Sequence, residues 1–258
     1  MSWKVSKAVR NHMLEFGDLK HTLSNCFIKW YTGAQPANGE AAPTGTLLVT
    51  LSLSSGAITR EVLSVGSVDL TGGGAGSVDT ITVNGIEIMG SSTPFNTSLA
   101  VTAADVSRKI NDNPRNYLFT TDVTATDQIN IRAKPGMGTL PNGWVVASTV
   151  TTITKVDSNM AGGVSPINGL NWGDSAAGVL AKLITQVWSG VAVATGTAGW
   201  FRIEASVSDA GGVDSTESIF RADGTIATSG GEINMGSTSI TTGLTYTLDT
   251  FTITLPTL

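Results

Sequence analysis

The sequence predicts a mainly β protein, an antiparallel β-sandwich or flattened barrel with N-terminal helices and an inserted small α+β domain. Three observations predict it. Leu47, Val49, Leu51 and Leu53 alternate with partners that are mostly hydroxyl-bearing, the period of a strand with one side buried. Asn84-Gly85 stands between Ile81/Val83 and Ile86/Ile88, the signature of a two-residue type I′ hairpin. Finally, glycine-rich borders and a change of composition separate the middle of the chain from its two flanks, as an insertion into a surface loop would. The expected divisions are 1–66 and 163–258 for the two parts of a host β domain, and 67–162 for the inserted domain.

The host elements follow in order. Val5, Val9, Met13 and Phe16 recur every three or four residues between Lys4 and Leu23, one helical face, and Gly17-Asp18 divides it into two helices, with Asp18 capping the second. Cys26 to Tyr31 reads as a short strand, and the run at Leu47 as the next. Gln186–Ala194 and Gly199–Ser206 flank a Thr-Gly-Thr-Ala turn and suggest a hairpin. Near the end, Leu244, Tyr246 and Leu248 share one parity while Phe251, Ile253 and Leu255 share the other. A β-bulge at Asp249-Thr250 would bring all six to one face.

In the insert, the LTGGGAG run reads as a flexible connector. After the Asn84-Gly85 hairpin, Thr102 and Asp105 have capping-box spacing for a helix through Val106 and Ile110, which Asn113-Pro114 ends. Phe119–Ala125 and Gln128–Ala133 form a second hairpin across Thr126-Asp127. Trp144–Lys155 returns as a last strand.

Composition removes several function classes. Lys+Arg total 15 against Asp+Glu 20, a formal net charge of -5 with no clustered cations, which argues against nucleic acid. No run of eighteen apolar residues is present, so no membrane helix is expected. The start MSWKVSKAVRNHM lacks the pattern of a secretion signal, placing synthesis in the cytoplasm. Cys26 is the lone cysteine and opens an apolar run, which suits a core thiol better than a nucleophile.

Catalytic patterns are sparse. His12 and His21 are the two histidines and their spacing does not suit a zinc pair on one helix. Asp69, Asp79, Asp157, Asp209, Asp214 and Asp223 are expected in turns, where aspartate caps backbone amides. The best calcium candidate joins Asp209, Asp214 and Glu217 with carbonyls of Gly211 and Gly212, though the spacing departs from the EF-hand loop. Gly72-Gly73-Gly74 lacks the Lys-Ser/Thr of a phosphate loop, and no GxSxG is present. No catalytic residue, metal site or cofactor is therefore expected. The residues for an interface or glycan contact are Trp30, Trp172, Trp188, Trp200 and Arg202. Indole rings fill cores and subunit interfaces or stack on sugars, and Arg202, between Phe201 and Ile203, would tie strand to loop or meet a partner.

The segments VRNHMLEFGDLKHTLSNCFIKWYTGAQPA, TGTLLVTLSL, WSGVAVATGTAGWFRIEAS and LDTFTITLP resemble small structural proteins of tailed-bacteriophage virions. DTITVNGIEI, AADVSRKIN and IRAKPGMGTLPNGW are similar to modules in phage tail, sheath and fibre proteins. The resemblance implies a non-enzymatic virion component at the head surface, neck or collar, or tail. Its implied partners are other virion proteins and further copies of itself in a trimer or ring, without nucleic acid or membrane insertion. The alternative is a carbohydrate-binding module that recognises a surface glycan.

Overall fold

The computed structural model describes residues 3–16, 19–124, 127–213 and 219–254. It is mainly β, with several antiparallel sheets and a small helix-containing insertion; no sheet is closed into a barrel among the described residues. The chain divides into two compact units, Met1–Arg60 with Pro166–Leu258, and Glu61–Ser165. These borders lie outside those expected at 66 and 162, and strand structure explains the first. Gly66 is buried in a strand where an added Cβ would come within 2.7 Å of Val146 Cγ2 and 2.9 Å of Met160 Sδ. That glycine permits close packing and does not act as a linker.

The first unit begins with β1 (Lys4–Val5), α1 (Lys7–Phe16) and α2 (Leu19–Thr22). Lys4 and Val5, expected to be helical, instead pair with Asp223 and Ala222. The helix starts after Ser6, whose Oγ accepts a hydrogen bond from Val9 N, an N-cap contact. Ala8 and Val9 pack against Ala205 and Phe220. Gly17, Asp18 and the expected cap lie outside the described residues. β2 (Phe27–Thr32) and β3 (Leu47–Leu53) follow, with Ile28 opposite Leu51 and Trp30 opposite Val49.

The second unit contains β4 (Val65–Gly72), β5 (Ser77–Val83), β6 (Ile86–Glu87), β7 (Thr93–Pro94), α3 (Leu99–Asn111), β8 (Phe119–Thr124), β9 (Gln128–Ala133), β10 (Val146–Thr151) and β11 (Thr154–Ala161). One sheet has the order β10-β5-β6 with β7 also on β5; the other runs β11-β4-β9-β8. Asn84 (φ 50°) and Gly85 (φ 79°) take the two left-handed positions of the β5–β6 hairpin, as a type I′ turn requires. β8 and β9 pair from Phe119–Ala133 to Thr124–Gln128; Ala125 and Thr126 are outside the described residues.

Three expectations for this unit are corrected. The LTGGGAG segment is β4 and a turn, not a free connector, and Gly76 (φ 98°) sits where a Cβ would meet Thr151 O at 1.8 Å. α3 starts one turn before the Thr102 cap, at Ser98, whose Oγ accepts from Val101 N at 3.2 Å. Thr102 lies inside the helix and donates to Ser98 O at 2.8 Å. The strand expected from Trp144 to Lys155 breaks at Thr152 (φ 63°), so β10 and β11 enter different sheets. Val68, Ile81, Val106, Ile110, Phe119 and Ile129 are among the side chains of the unit's own core.

The first unit resumes with β12 (Val179–Ala181), β13 (Trp188–Val191), β14 (Gly196–Glu204), β15 (Arg221–Ala227), β16 (Ile233–Asn234), β17 (Ser239–Ile240), β18 (Thr245–Leu248) and β19 (Thr252–Thr254). Its main sheet has the order β1-β15-β14-β2-β3-β13-β18. β13 and β14 therefore do not form the expected hairpin, because β2 and β3 lie between them. The bulged terminal strand is also corrected: β18 pairs β13, while β19 pairs β12 in a separate two-stranded sheet. The break at Asp249–Phe251 leaves Leu248, Phe251 and Ile253 buried but Leu244 exposed. Leu255 lies outside the described residues.

Candidate functional site: a buried ion-pair face

The main sheet of the first unit has two chemically different sides. Ile28, Trp30, Val49, Leu51, Phe201, Ile203 and Ala222 belong to the apolar core. On the opposite side, side-chain alternation places Phe27, Lys29 and Tyr31 of β2 beside Trp200, Arg202 and Glu204 of β14, and these beside Arg221, Asp223 and Thr225 of β15. Lys4 extends the row at the β1 edge, opposite Asp223.

Arg202 and Asp223 are directly opposite in register. The Nε and Nη2 hydrogens of Arg202 are donated to the two Asp223 oxygens, both at 2.7 Å, and both side chains are fully buried. Arg221 makes a second forked contact, from Nε and Nη2 to Asp209 at 2.6 and 2.5 Å. Glu204 lies between two cations, with Lys29 Nζ 2.8 Å from Oε1 and Arg60 Nη2 2.8 Å from Oε2. Arg60 also stands 4.3 Å above the Phe27 ring. A planar guanidinium suits both the bidentate carboxylate and the aromatic face.

Two loops close this side. Trp200 Nε1 donates to Thr44 O at 3.2 Å, Arg221 Nη1 to Glu40 O at 3.1 Å and Lys4 Nζ to Pro36 O at 2.6 Å. Asp209 carries the other loop, and Gly211 N also donates to its carboxylate at 2.8 Å. Burial raises the pKa of Asp223 above the usual aspartate value despite its Arg202 partner. Burial acts the same way on Asp209, but there the Arg221 and Gly211 hydrogen bonds prevail and hold the carboxyl below that value. Burial also pushes Tyr31 upward, reinforced by Glu204, and lifts Cys26 to about 12, leaving a thiol with little thiolate character.

The five residues chosen from sequence are all interior. Trp172 and Trp188 meet edge to face at 5.2 Å, donating to Leu23 O and to Gln186 Oε1. Trp30 packs at 6.3 Å from Tyr246, and Trp200 stacks on Tyr31 at 4.5 Å. Arg202 is 5.5 Å from the Trp200 ring centroid. The structure thus brings Trp172 together with Trp188, and Trp200 with Arg202, while Trp30 points to the other side of the sheet. Their exposures are 3% or less, so none offers a ring face or guanidinium to an outside ligand. Within the single chain these side chains cover the core and close the charged side of the sheet. Arg202 ties strand to strand, where a loop partner was expected.

Sequence reasoning missed Lys29, Arg60, Glu204, Arg221 and Asp223 as one network. The available signal was period-two placement of charge, Arg202 with Glu204 and Arg221 with Asp223, in otherwise apolar strands. Other aspartates expected in turns are also in strands. Asp79 of β5 accepts hydroxyl hydrogens from Ser77, Thr151 and Ser92, which lower its pKa. Asp157 of β11 accepts from Ser148 N and Oγ and pairs with Lys155, and Asp69 lies in β4. Of the calcium candidate, Asp214 and Glu217 are outside the described residues, and Asp209 is committed to Arg221. Among the described residues no group of three or more His, Cys, Asp or Glu side chains is placed to hold a metal. His12 Nδ1 is 2.7 Å from Thr22 Oγ1.

Chemically, this arrangement is a clamp. Asp223, Asp209 and Glu204 are each engaged by cations or backbone N–H groups and buried, so the carboxylates hold strands and loops together. No protein-family model, curated protein or solved structure matches the chain.

Proposed function

We propose that the chain is a non-enzymatic structural subunit of a tailed-bacteriophage virion, an accessory component of the head surface, neck or collar, or tail. It acts through protein–protein assembly with other virion proteins and with further copies of itself. The reading rests on the sequence resemblance above and is supported by one structural observation. Where the main sheet leaves the ion-pair side and reaches β13 and β18, its outward residues carry no charge. Val187, Val191 and Val193 are 52%, 49% and 66% exposed, beside exposed Thr245 and Thr247. Such a surface can be covered by another polypeptide without desolvating fixed charges.

A sandwich-like arrangement of the first unit belongs to the same proposal. It is supported by a core shared between the main sheet, through Trp188 and Phe201, and the β12–β19 pair, through Leu180 and Ile253. The carbohydrate alternative has no structural support, since the tryptophans that would carry it are buried. Quantitative mass spectrometry of purified particles tests the proposal. The expected result is a fixed copy number per particle, retained after high-salt washing; recovery of the protein only from infected-cell extract would refute it.

A further inference from the structure

Four Asn-Gly pairs occur in the chain, at Asn38, Asn84, Asn142 and Asn168. Each has the same intrinsic chemistry, because glycine's missing Cβ leaves its backbone nitrogen open to attack the preceding side-chain amide. The fold treats them very differently. Asn142 uses both ends of its amide on Gly163, donating to O and accepting from N at 2.8 Å each, and Gly143 N is itself donated to Met160 O. Asn168 donates to Ala57 O at 2.7 Å, and Gly169 packs so tightly that an added Cβ would lie 2.6 Å from Asn25 Cα. Asn38 Oδ1 accepts from Glu40 N and Ala41 N, while Gly39 is buried against Ser6 N.

Asn84 differs on every count. Both Asn84 and Gly85 are exposed, no group within 4 Å surrounds the Gly85 Cβ position, and neither the Asn84 side chain nor Gly85 N has a hydrogen-bond partner among the described residues. We infer that Asn84 is the chain's site of spontaneous deamidation, an ageing mark at the tip of the β5–β6 hairpin. Gly85 N attacks Asn84 Cγ, forming a C–N bond as the bond to Nδ2 breaks, and ammonia leaves with the proton lost by Gly85 N. Water then opens the cyclic imide at either carbonyl to give aspartate or isoaspartate. The isoaspartate adds a backbone methylene to a turn whose register depends on two residues, and both products add a negative charge.

The test is ageing of the purified full chain in mildly alkaline buffer, followed by peptide mapping with isoaspartate detection, alongside a sample kept in urea. Two or more constraints fewer at Asn84 should make it react about tenfold faster than the other three in the folded chain. In urea the four rates should converge. Equal or faster reaction at Asn38, Asn142 or Asn168 in the folded chain would overturn the inference, as would an inert Asn84 that reacts only in urea. A Gly85→Ala variant, read by the same mapping, should slow the Asn84 reaction without altering the other three sites.

Discussion

Arg202 and Asp223 face each other across β14 and β15 with two 2.7 Å hydrogen bonds and no exposure of either side chain. Removing one partner strands a charge away from water. Arg202→Met or Asp223→Ala should therefore destabilise the first unit by about 3–5 kcal/mol. The double variant Arg202→Met/Asp223→Leu should recover most of that loss, because replacing both charges leaves none uncompensated. Urea denaturation followed by tryptophan fluorescence measures this; equal losses in the single and double variants would contradict it.

The two aspartates of this side predict opposite pH effects. Asp209 ionises more readily in the folded chain than at its ordinary value of 3.8, so its stabilisation is present above that value and is lost as pH falls through the folded pKa. Asp223 ionises less readily when folded, so its contribution is full below 3.8 and is lost as pH rises through its raised pKa. Asp209→Asn should flatten the acid limb of the stability profile, and Asp223→Asn the limb above 3.8. Denaturation midpoints measured across pH check both slopes.

Glu61 begins the second unit with a carboxylate that is 1% exposed and accepts from Gly136 N and Gly138 N at 2.8 and 2.9 Å. Arg60, the preceding residue, is held in the first unit by Ala205 O and Glu204. Glu61→Ala leaves buried N–H groups without that acceptor and should cost about 2–4 kcal/mol in the second unit. Hydrogen exchange should then accelerate in β4, β9 and α3 but not in β14 or β15. Uniform acceleration across both units would contradict the separate cores.

Trp172 and Trp188 support the core with their rings and with one indole hydrogen bond each. Trp172→Ala and Trp188→Ala should each cost about 3–5 kcal/mol by leaving a cavity. A glycan array probed with the unmodified chain should show no signal that depends on either ring. Reproducible binding abolished by Trp172→Ala in a variant of unchanged stability would restore the carbohydrate reading.

Much of the local structure was legible in the sequence, and its long-range order was not. Asn84-Gly85 announces its hairpin because two left-handed positions demand those residue types, and Val106/Ile110 mark α3 by their spacing. The partners of β14 could not be read off, because strands from far earlier in the chain, β2 and β3, separate it from β13. Thr152 hides a change of sheet inside what looks like one strand. The ion-pair side was obscured for a related reason. Arg202, Asp223, Arg221 and Asp209 become a network only when β14, β15 and the 205–213 loop are brought together, while in the sequence Arg202 reads as a strand-to-loop tie and the two aspartates as turn caps. The tryptophans were ambiguous in the sequence because an indole's residue type does not say whether it fills a core or meets a partner.

An electron-microscopy map of intact particles tests the central claim most directly. The account predicts density for both compact units at regular, symmetry-related positions, with the uncharged β13–β18 side covered by a neighbouring subunit. Particles that lack this density, or a map in which Val191, Val193 and Thr245 face open solvent at every copy, would contradict it.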